Sequence, residues 1–293
     1  MFRLDLTEPV HHEIRRLALG ELEDAEDALS GGEEPVAARI HEARKRLKRL
    51  RALLDLVQQS SDQRARRALI EASRKAADLI AVPRGHAALL QAYDALVEAH
   101  PECETVELGR ALGERAAAVD EEAKDVLANA ARILHEARAC AKALDIRGRG
   151  FDVIGSGIRR TYRRARRALA LARDEGGAAH FHEFRKPCKR HLYQLRLLES
   201  VWPAILQAQG AEVDRTGELA GEHHDLCLLR AEIPRIVTRD AGISIERFVA
   251  RRERELERRI LALGALCFAE KPSFLCARIA AYWARASRNA TND

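Results

Sequence analysis

HEARKRLKR, residues 41–49, returns 141 positions later as HEFRKPCKR, residues 182–190. The two copies share the pattern H-E-x-R-K-x-x-K-R, and their offset is close to half of the 293-residue chain. A repeat at this distance indicates an internal duplication in which each half of the chain contains one copy of the same basic helix.

Helical spacing sorts the side chains of each copy into a cationic face and an apolar face. In the first copy, one stripe carries His41, Lys45 and Lys48, flanked by Arg44 and Arg49. The corresponding stripe of the second copy is formed by His182, Lys186, Lys189, Tyr193 and Arg196. The usual role of a charged stripe is a solvated face, but such faces mix signs at i,i+4. Here nearly all charges are positive, so the pattern favours an anionic ligand that offsets their repulsion.

The composition predicts an almost wholly helical protein. Only 17 Gly and 8 Pro interrupt a chain rich in Ala, Leu, Glu and Arg, and no segment has the pattern of a strand. The net charge is only +5, so the basic character is local. Six cysteines without a C-x-x-C pair predict reduced core residues and no metal site. The charged N-terminus and the lack of a long apolar run predict a cytoplasmic protein without a membrane span.

Helix breakers divide the chain into two halves, residues 1–147 and 151–293, around the Arg-Gly-Arg-Gly segment at 147–150. In the first half we predict helices over residues 8–29, 35–59, 62–80, 86–100 and 102–144. In the second half we predict an arginine-bearing helix that ends at Gly176-Gly177, the second-copy helix, and helices over residues 211–231, 243–263 and 272–289. Pro187 either kinks the second-copy helix or marks a helix that begins near Phe184.

A further cationic stripe opens the second half, because Arg160, Arg163, Arg164 and Arg167 fall on one side of a helix. Later in the chain, residues 219–226 read LAGEHHDL. The paired H-E-x-R-K-x-x-K-R helices, the arginine-rich helix and this L-x-G-E-x-H-D-L segment together resemble the CHAD domain, the conserved-histidine α-helical domain, over nearly the whole chain.

The resemblance implies an all-α fold of two pseudo-symmetric four-helix bundles, whose basic helices line a central cavity that binds inorganic polyphosphate. It also implies association with polyphosphate granules. Many members of the family carry a CYTH-type triphosphatase domain, for which this chain has no room. We therefore expect a stand-alone, non-catalytic binding module without a cofactor.

The expected polyphosphate-binding residues come from both copies, from the arginine stripe and from the later motif. They are His41, Arg44, Lys45, Lys48, Arg49, Arg160, Arg163, Arg164, His182, Arg185, Lys186, Lys189, Arg190, Tyr193 and His224. The histidines are either ligand donors or structural residues. Imidazolium donors would make the affinity fall between about pH 6 and 8.

Two other functions fit parts of the sequence. Basic helices alone permit nucleic-acid binding, although an aromatic content of 4% offers few platforms for base stacking, and nucleic acid is not the expected partner. His224-Asp225, with His180, His182 and Asp240, is similar to the ligand set of helical metal-dependent phosphohydrolases. The alternative role of Asp225 is to orient a neighbouring Arg or His.

Overall fold

The computed structural model describes residues 2–292, without the side chains of residues 83, 84, 119–122, 239–241, 291 and 292. These residues form ten α-helices and three short 3-10 helices; the one β-type contact in this part of the chain is an isolated bridge between Ser61 and Ile146. The predicted all-α class is confirmed. The helices are α1 (Val10–Ser30), α2 (Val36–Leu56), α3 (Gln63–Leu79), α4 (Ala81–Ala99), α5 (Val106–Lys142), α6 (Gly155–Glu175), α7 (Gly177–Leu197), α8 (Pro203–Ile236), α9 (Arg239–Cys267) and α10 (Pro272–Asn292).

Two helix boundaries, the break between α3 and α4 and the start of α8, differ from the prediction. The start of α7 decides between the two alternatives considered for Pro187. The break between α3 and α4 is at Ile80, and Pro83-Arg84-Gly85 lies inside α4. Pro83 is in the first turn of α4, where the backbone N–H groups have no partner within the helix, so the missing N–H of proline costs no hydrogen bond. Helix α8 begins at Pro203, because proline is favoured at the first helical position. Helix α7 begins at Gly177 and continues through Pro187, whose side chain is buried, so packing outweighs the lost backbone hydrogen bond.

Helix packing joins the two halves around one continuous apolar core. In the first half, α5 packs against α1, α3 and α4, and α2 packs against α1, α3 and α4. In the second half, α7 and α9 pack against α8, and α6 packs against α7, α9 and α10. Helix α2 crosses to α6 and α7, and α4 contacts α8. The predicted boundary at residues 147–151 falls between α5 and α6 and stays a prediction.

No single helix in the described part of the chain has both the length and the apolar character needed to cross a membrane. The bent pair formed by Gly242–Cys267 and Pro272–Ala290 meets that test together, by length and composition only.

The two halves meet most closely where α2, α6 and α7 come together, here called the α2–α6–α7 junction. A Cβ atom at Gly157 of α6 would lie 2.6 Å from the carbonyl carbon of Leu56, at the end of α2, and closer still to its oxygen. Only a residue without a side chain permits this approach, since the obstacle is rigid backbone.

Polar contacts to the end of α2 hold the same junction together. The Gln194 side chain of α7 donates to the Thr161 hydroxyl of α6 at 3.0 Å and to the carbonyl of Ala52 at 3.4 Å. The Arg160 guanidinium donates to the carbonyl of Asp55. The last carbonyls of a helix have no partner within it and carry partial negative charge, so a cation is favourable there.

Gly157→Ala is expected to lower the free energy of unfolding by at least about 2 kcal/mol, because the added methyl group forces α2 and α6 apart. The matched control is Gly20→Ala in α1, where no atom lies within 4 Å of the added Cβ. That variant should gain about 0.5–1 kcal/mol from the better helix propensity of alanine. Denaturant unfolding measures both, and a Gly157→Ala protein as stable as the wild type would contradict the close approach.

His191 is completely buried on α7, beside the rings of Tyr162 and Phe268 at 5.1 and 5.9 Å. Neither ring nitrogen has a hydrogen-bond partner among the described residues. Burial, and to a lesser extent the charge of Arg278, lower the pKa of His191 from 6.5 to about 3. The imidazole is therefore neutral in the folded protein over most of the acidic range.

The free energy of unfolding should fall as the pH drops below about 6.5. In this range His191 binds a proton in the unfolded chain but stays unprotonated in the folded protein. This contribution is complete above pH 6.5 and is lost progressively towards the folded pKa of about 3. Between pH 7.5 and 5, His191→Phe should lose about 2 kcal/mol less than the wild type. Denaturant unfolding at both pH values measures the difference, and equal losses would mean that His191 is protonated in the fold.

Candidate anion-binding site

A cavity of about 950 Å³ lies between the two halves, enclosed by residues of α2, α4, α7, α8 and α9. Its charged lining is mainly cationic. The lysines and arginines are Arg44, Lys45, Lys48, Arg185, Lys189, Arg196, Arg215 and Arg252, and the carboxylates are Asp214, Glu218, Glu222 and Asp225. Among the described residues of the lining, cations thus outnumber carboxylates by eight to four.

The first motif copy faces the cavity because the opposite side of α2 is apolar. Ile40, Ala43, Leu47 and Leu50 are fully or almost fully buried in the core, which turns His41, Arg44, Lys45 and Lys48 towards the cavity. Within this group, Lys45 forms an ion pair with Glu42 of the same helix, and Arg44 donates to the carbonyl of Ala77 at 3.1 Å.

Two glycines of α8 make room for the cavity cations of α7. A Cβ at Gly221 would lie 3.2 Å from Nε and Nη2 of Arg185, and a Cβ at Gly217 would lie 2.9 Å from the Lys189 stem. The buried Nε of Arg185 has no hydrogen-bond partner among the described residues. The Arg185 guanidinium therefore has an unsatisfied N–H donor at the wall of the cavity.

Carboxylates of α8 already balance part of the cationic charge. Lys189 pairs with Asp214 at 2.9 Å and with Glu218, and Arg196 pairs with Asp214 at 2.6 Å. Burial alone would lower the pKa of Lys189, but the hydrogen bonds to Glu218 and Asp214 outweigh it and raise that pKa. Lys189 therefore stays charged, and an anionic ligand has to compete with these carboxylates.

A family model of the CHAD domain matches residues 13–234. The chain belongs to the CHAD family. The match runs from α1 to near the end of α8, so it includes both motif copies and every cavity cation except Arg252. No curated protein matches the chain.

The structure places some of the expected donors of this CHAD protein on the cavity and others elsewhere. Those that line the cavity are His41, Arg44, Lys45, Lys48, Arg185, Lys189 and Tyr193. Those that do not are Arg49, Arg160, Arg163, Arg164, His182, Lys186, Arg190 and His224.

His182 and His224 stack on each other outside the CHAD cavity, with ring centroids 4.1 Å apart. Burial lowers the pKa of His182 to about 4, helped by His224, Lys186 and Arg185. The pKa of His224 is also lowered, first by burial and then by Arg185. His182 is thus uncharged near neutral pH, so of the two roles considered for it, the imidazolium donor does not fit this environment.

Arg49 and Arg190, which occupy equivalent positions in the two copies, both pair with carboxylates away from the cavity. Arg49 lies 3.8 Å from Glu21 of α1 and 5.4 Å from the centre of the Phe2 ring. Arg190 pairs with Asp55 of α2 at 2.9 Å. Both arginines therefore hold helices together in the CHAD fold.

The remaining expected donors lie on other surfaces. Arg160 is bound to the end of α2 at the α2–α6–α7 junction, and Arg163 and Arg164 are exposed on α6. Lys186 is exposed on α7 and pairs with Glu183 one turn away. These positions follow from the 100° rotation between successive helical residues, which divides each basic run between different faces.

Among the described cations of the cavity, three are not in the list of expected donors: Arg196, which lies on the predicted stripe of the second copy, Arg215 and Arg252. Arg252 belongs to a run of mixed charge at residues 251–259 of α9. It lines the cavity and donates to Glu222 at 2.7 Å and to Glu255 at 2.9 Å. The i,i+4 spacing of Asp214, Glu218 and Glu222 on α8 was a usable signal, since a row of carboxylates on one helix face favours cationic partners on a neighbouring helix.

Of the residues considered for metal-dependent hydrolysis, His182 and His224 are in contact, but the described residues do not assemble a metal site. His180 bonds to the carbonyl of Gly176, His224 stacks on His182, and Asp225 lines the cavity. The side chain of Asp240 lies outside the described residues. Among the side chains that are described, no group of three or more His, Cys, Asp or Glu could hold a metal ion.

Proposed function

We propose that this CHAD protein binds inorganic polyphosphate in the cavity between its two halves, without catalysing its hydrolysis. The observation that carries the proposal is the convergence of both motif copies, through Arg44 and Lys48 of α2 and Arg185 and Lys189 of α7, on one cavity. Cations from opposite walls can contact successive phosphates of a chain. A single small anion would contact only some of these cations.

The number of donors supports tight binding. A hydrogen bond to a charged group contributes on the order of 1.5–3 kcal/mol, and arginine can offer two to one phosphate. Part of this energy is offset because Asp214 and Glu218 have to release Lys189, and because the ligand chain loses freedom. Among the described residues, no carboxylate lies within 4.0 Å of the Arg185 guanidinium, so none has to release it and Arg185 should contribute most.

The aromatic lining favours polyphosphate over single-stranded nucleic acid. Among the described residues of the lining, Tyr193 is the one Phe, Tyr or Trp side chain, and it is 6% exposed. The Arg196 guanidinium lies over its ring at 6.0 Å, so that face is covered. Base stacking, which contributes much of the affinity for single strands, has no platform here.

The proposal includes the architecture that the family resemblance implies. Helices α1 and α6 have 21 residues each, as do α2 and α7. If α3 and α4 together correspond to the single helix α8, and α5 corresponds to α9, each half is a four-helix bundle and α10 is an addition.

The proposal also includes association with cytoplasmic polyphosphate granules. A site that binds a phosphate chain through charge alone, without base contacts, fits this location.

Arg185→Gln is expected to weaken polyphosphate binding at least about 10-fold, because the variant loses a charge-assisted donor. Lys186→Gln is the matched control: it removes one positive charge from the neighbouring position, which is exposed and outside the cavity. Its affinity should change less than about twofold. Titration calorimetry with a medium-length polyphosphate, on metal-free protein at two salt concentrations, measures both.

Equal losses in Arg185→Gln and Lys186→Gln would contradict a cavity site and indicate binding to the outer surface. Charge-matched single-stranded DNA is titrated in parallel. Equal affinity for DNA and polyphosphate would replace the proposal with nucleic-acid binding. Phosphate release that requires Mg²⁺ or Mn²⁺ and is abolished by His224→Ala would instead establish a hydrolase.

Binding between pH 6 and 8 is expected not to depend on a charge of His182. The pKa of His182 is lowered to about 4, so this imidazole carries no charge to lose in this range. His182→Gln should therefore leave the pH profile of binding unchanged above pH 6; the matched variants are His41→Gln and His100→Gln, at the two described histidines of the cavity lining. A profile that becomes flatter in His182→Gln but not in the two matched variants would place the protonated imidazole at His182.

A further inference from the structure

A second group of arginines lies outside the cavity, on the side of α2 that faces α3, α6 and α7. We name it the outer arginine cluster and define it as Arg51, Arg66, Arg74, Arg160 and Arg190, with Arg163 and Arg164 at its edge. Arg160 and Arg190 meet at Asp55 of α2, where Arg160 donates to the carbonyl and Arg190 pairs with the carboxylate at 2.9 Å. Arg51 is influenced electrostatically by Arg190 and Arg74, and Arg160 by Arg66, Arg163 and Arg164. These side chains come from four helices, so the fold assembles the cluster.

Arg51 has no ion pair with a described carboxylate. It is partly buried, and its Nε donates to the carbonyl of Leu47 at 3.1 Å, within its own helix. In the described part of the chain, no carboxylate lies within 4.0 Å of its guanidinium. Burial, followed by repulsion from Arg190, Arg44 and Arg74, lowers the pKa of Arg51 to about 10. A partly desolvated charge among like charges is unfavourable unless an anion joins it.

The carboxylates near the cluster are too few to balance it. Asp55 pairs with Arg190 at 2.9 Å and acts on Arg160 and Arg66, and Asp78 acts on Arg51 from a greater distance. Arg66 is 6% exposed, and its buried Nε has no partner among the described residues. The cluster therefore has both positive charge and donors in excess.

Arg44 connects the cluster to the cavity. It lines the cavity and is also one of the charges that act on Arg51. Arg51 lies seven residues further along α2, which is two helical turns or about 10 Å. A flexible anionic chain held in the cavity can therefore continue over Arg44 to the outer arginine cluster.

We propose that the outer arginine cluster is a second phosphate-binding site, which takes the part of a polyphosphate chain that extends out of the cavity. This inference rests on the proposed function of the cavity. It predicts that long chains contact both sites and that a chain of a few phosphates contacts the cavity alone. Affinity then rises with chain length until the chain reaches the cluster, since the second contact is intramolecular.

The test compares tripolyphosphate with a long polyphosphate on the double variant Arg51→Gln/Arg74→Gln and on Arg74→Gln alone. Arg74 is exposed on α3, so its replacement should leave the fold intact. The double variant should bind the long chain at least about 10-fold more weakly, and its salt slope should fall by roughly 1.4, because about two phosphate contacts are lost. Binding of tripolyphosphate should change less than about threefold. The control is Arg132→Gln on α5, an exposed arginine paired with Glu136.

Three outcomes would overturn the inference, and they separate it from the proposed function. Unchanged long-chain affinity in the double variant would mean that the cluster does not contact the ligand. Equal losses for the short and the long chain would mean that Arg51 acts only on the cavity. If wild-type protein binds neither chain, the cavity proposal itself fails, and this inference fails with it.

Discussion

Repulsion between the cationic faces of α2 and α7 is the constraint on which the rest of the structure depends. The apolar faces of these helices are buried in one core, so their basic side chains have to point into the space between them. The α2–α6–α7 junction then fixes the distance between the helices, because Gly157 lets α6 touch the end of α2. The cavity is therefore a product of core packing, and its charge follows from the same helices that form the core.

The carboxylates of α8 limit the repulsion between the cations of the cavity. Asp214 and Glu218 neutralise Lys189, and Glu222 neutralises Arg252. These ion pairs are partly exposed, so water and a competing anion can both exchange with them. Full compensation would leave no driving force for an anion, and no compensation would make the folded protein unstable. The excess of cations over carboxylates leaves the cavity between these limits.

The sequence predicts the fold class and most helices well, because local signals determine them. Asp62 caps α3 by accepting from the backbone N–H groups of Arg64 and Ala65, as its position after Ser60-Ser61 suggests. The site is predicted only in part. Helical periodicity identifies a cationic face of a helix. Tertiary packing decides which cations of that face pair with a carboxylate of another helix. Arg49 and Arg190 are engaged by Glu21 and Asp55, which are distant in sequence, and Arg252 reaches the cavity from α9.

The two motif copies also differ in how they use the same residues. The first histidine lines the cavity as His41, whereas His182 is stacked on His224, and the first lysine lines it as Lys45 but not as Lys186. The common element is an arginine and a lysine four residues apart, Arg44 with Lys48 and Arg185 with Lys189. Residues at i and i+4 share one helix face, so each copy presents the same pair of donors in the same orientation. This Arg–Lys pair is the part of the motif that both copies place on the cavity, whereas the last arginine of each copy, Arg49 or Arg190, contacts a carboxylate of another helix.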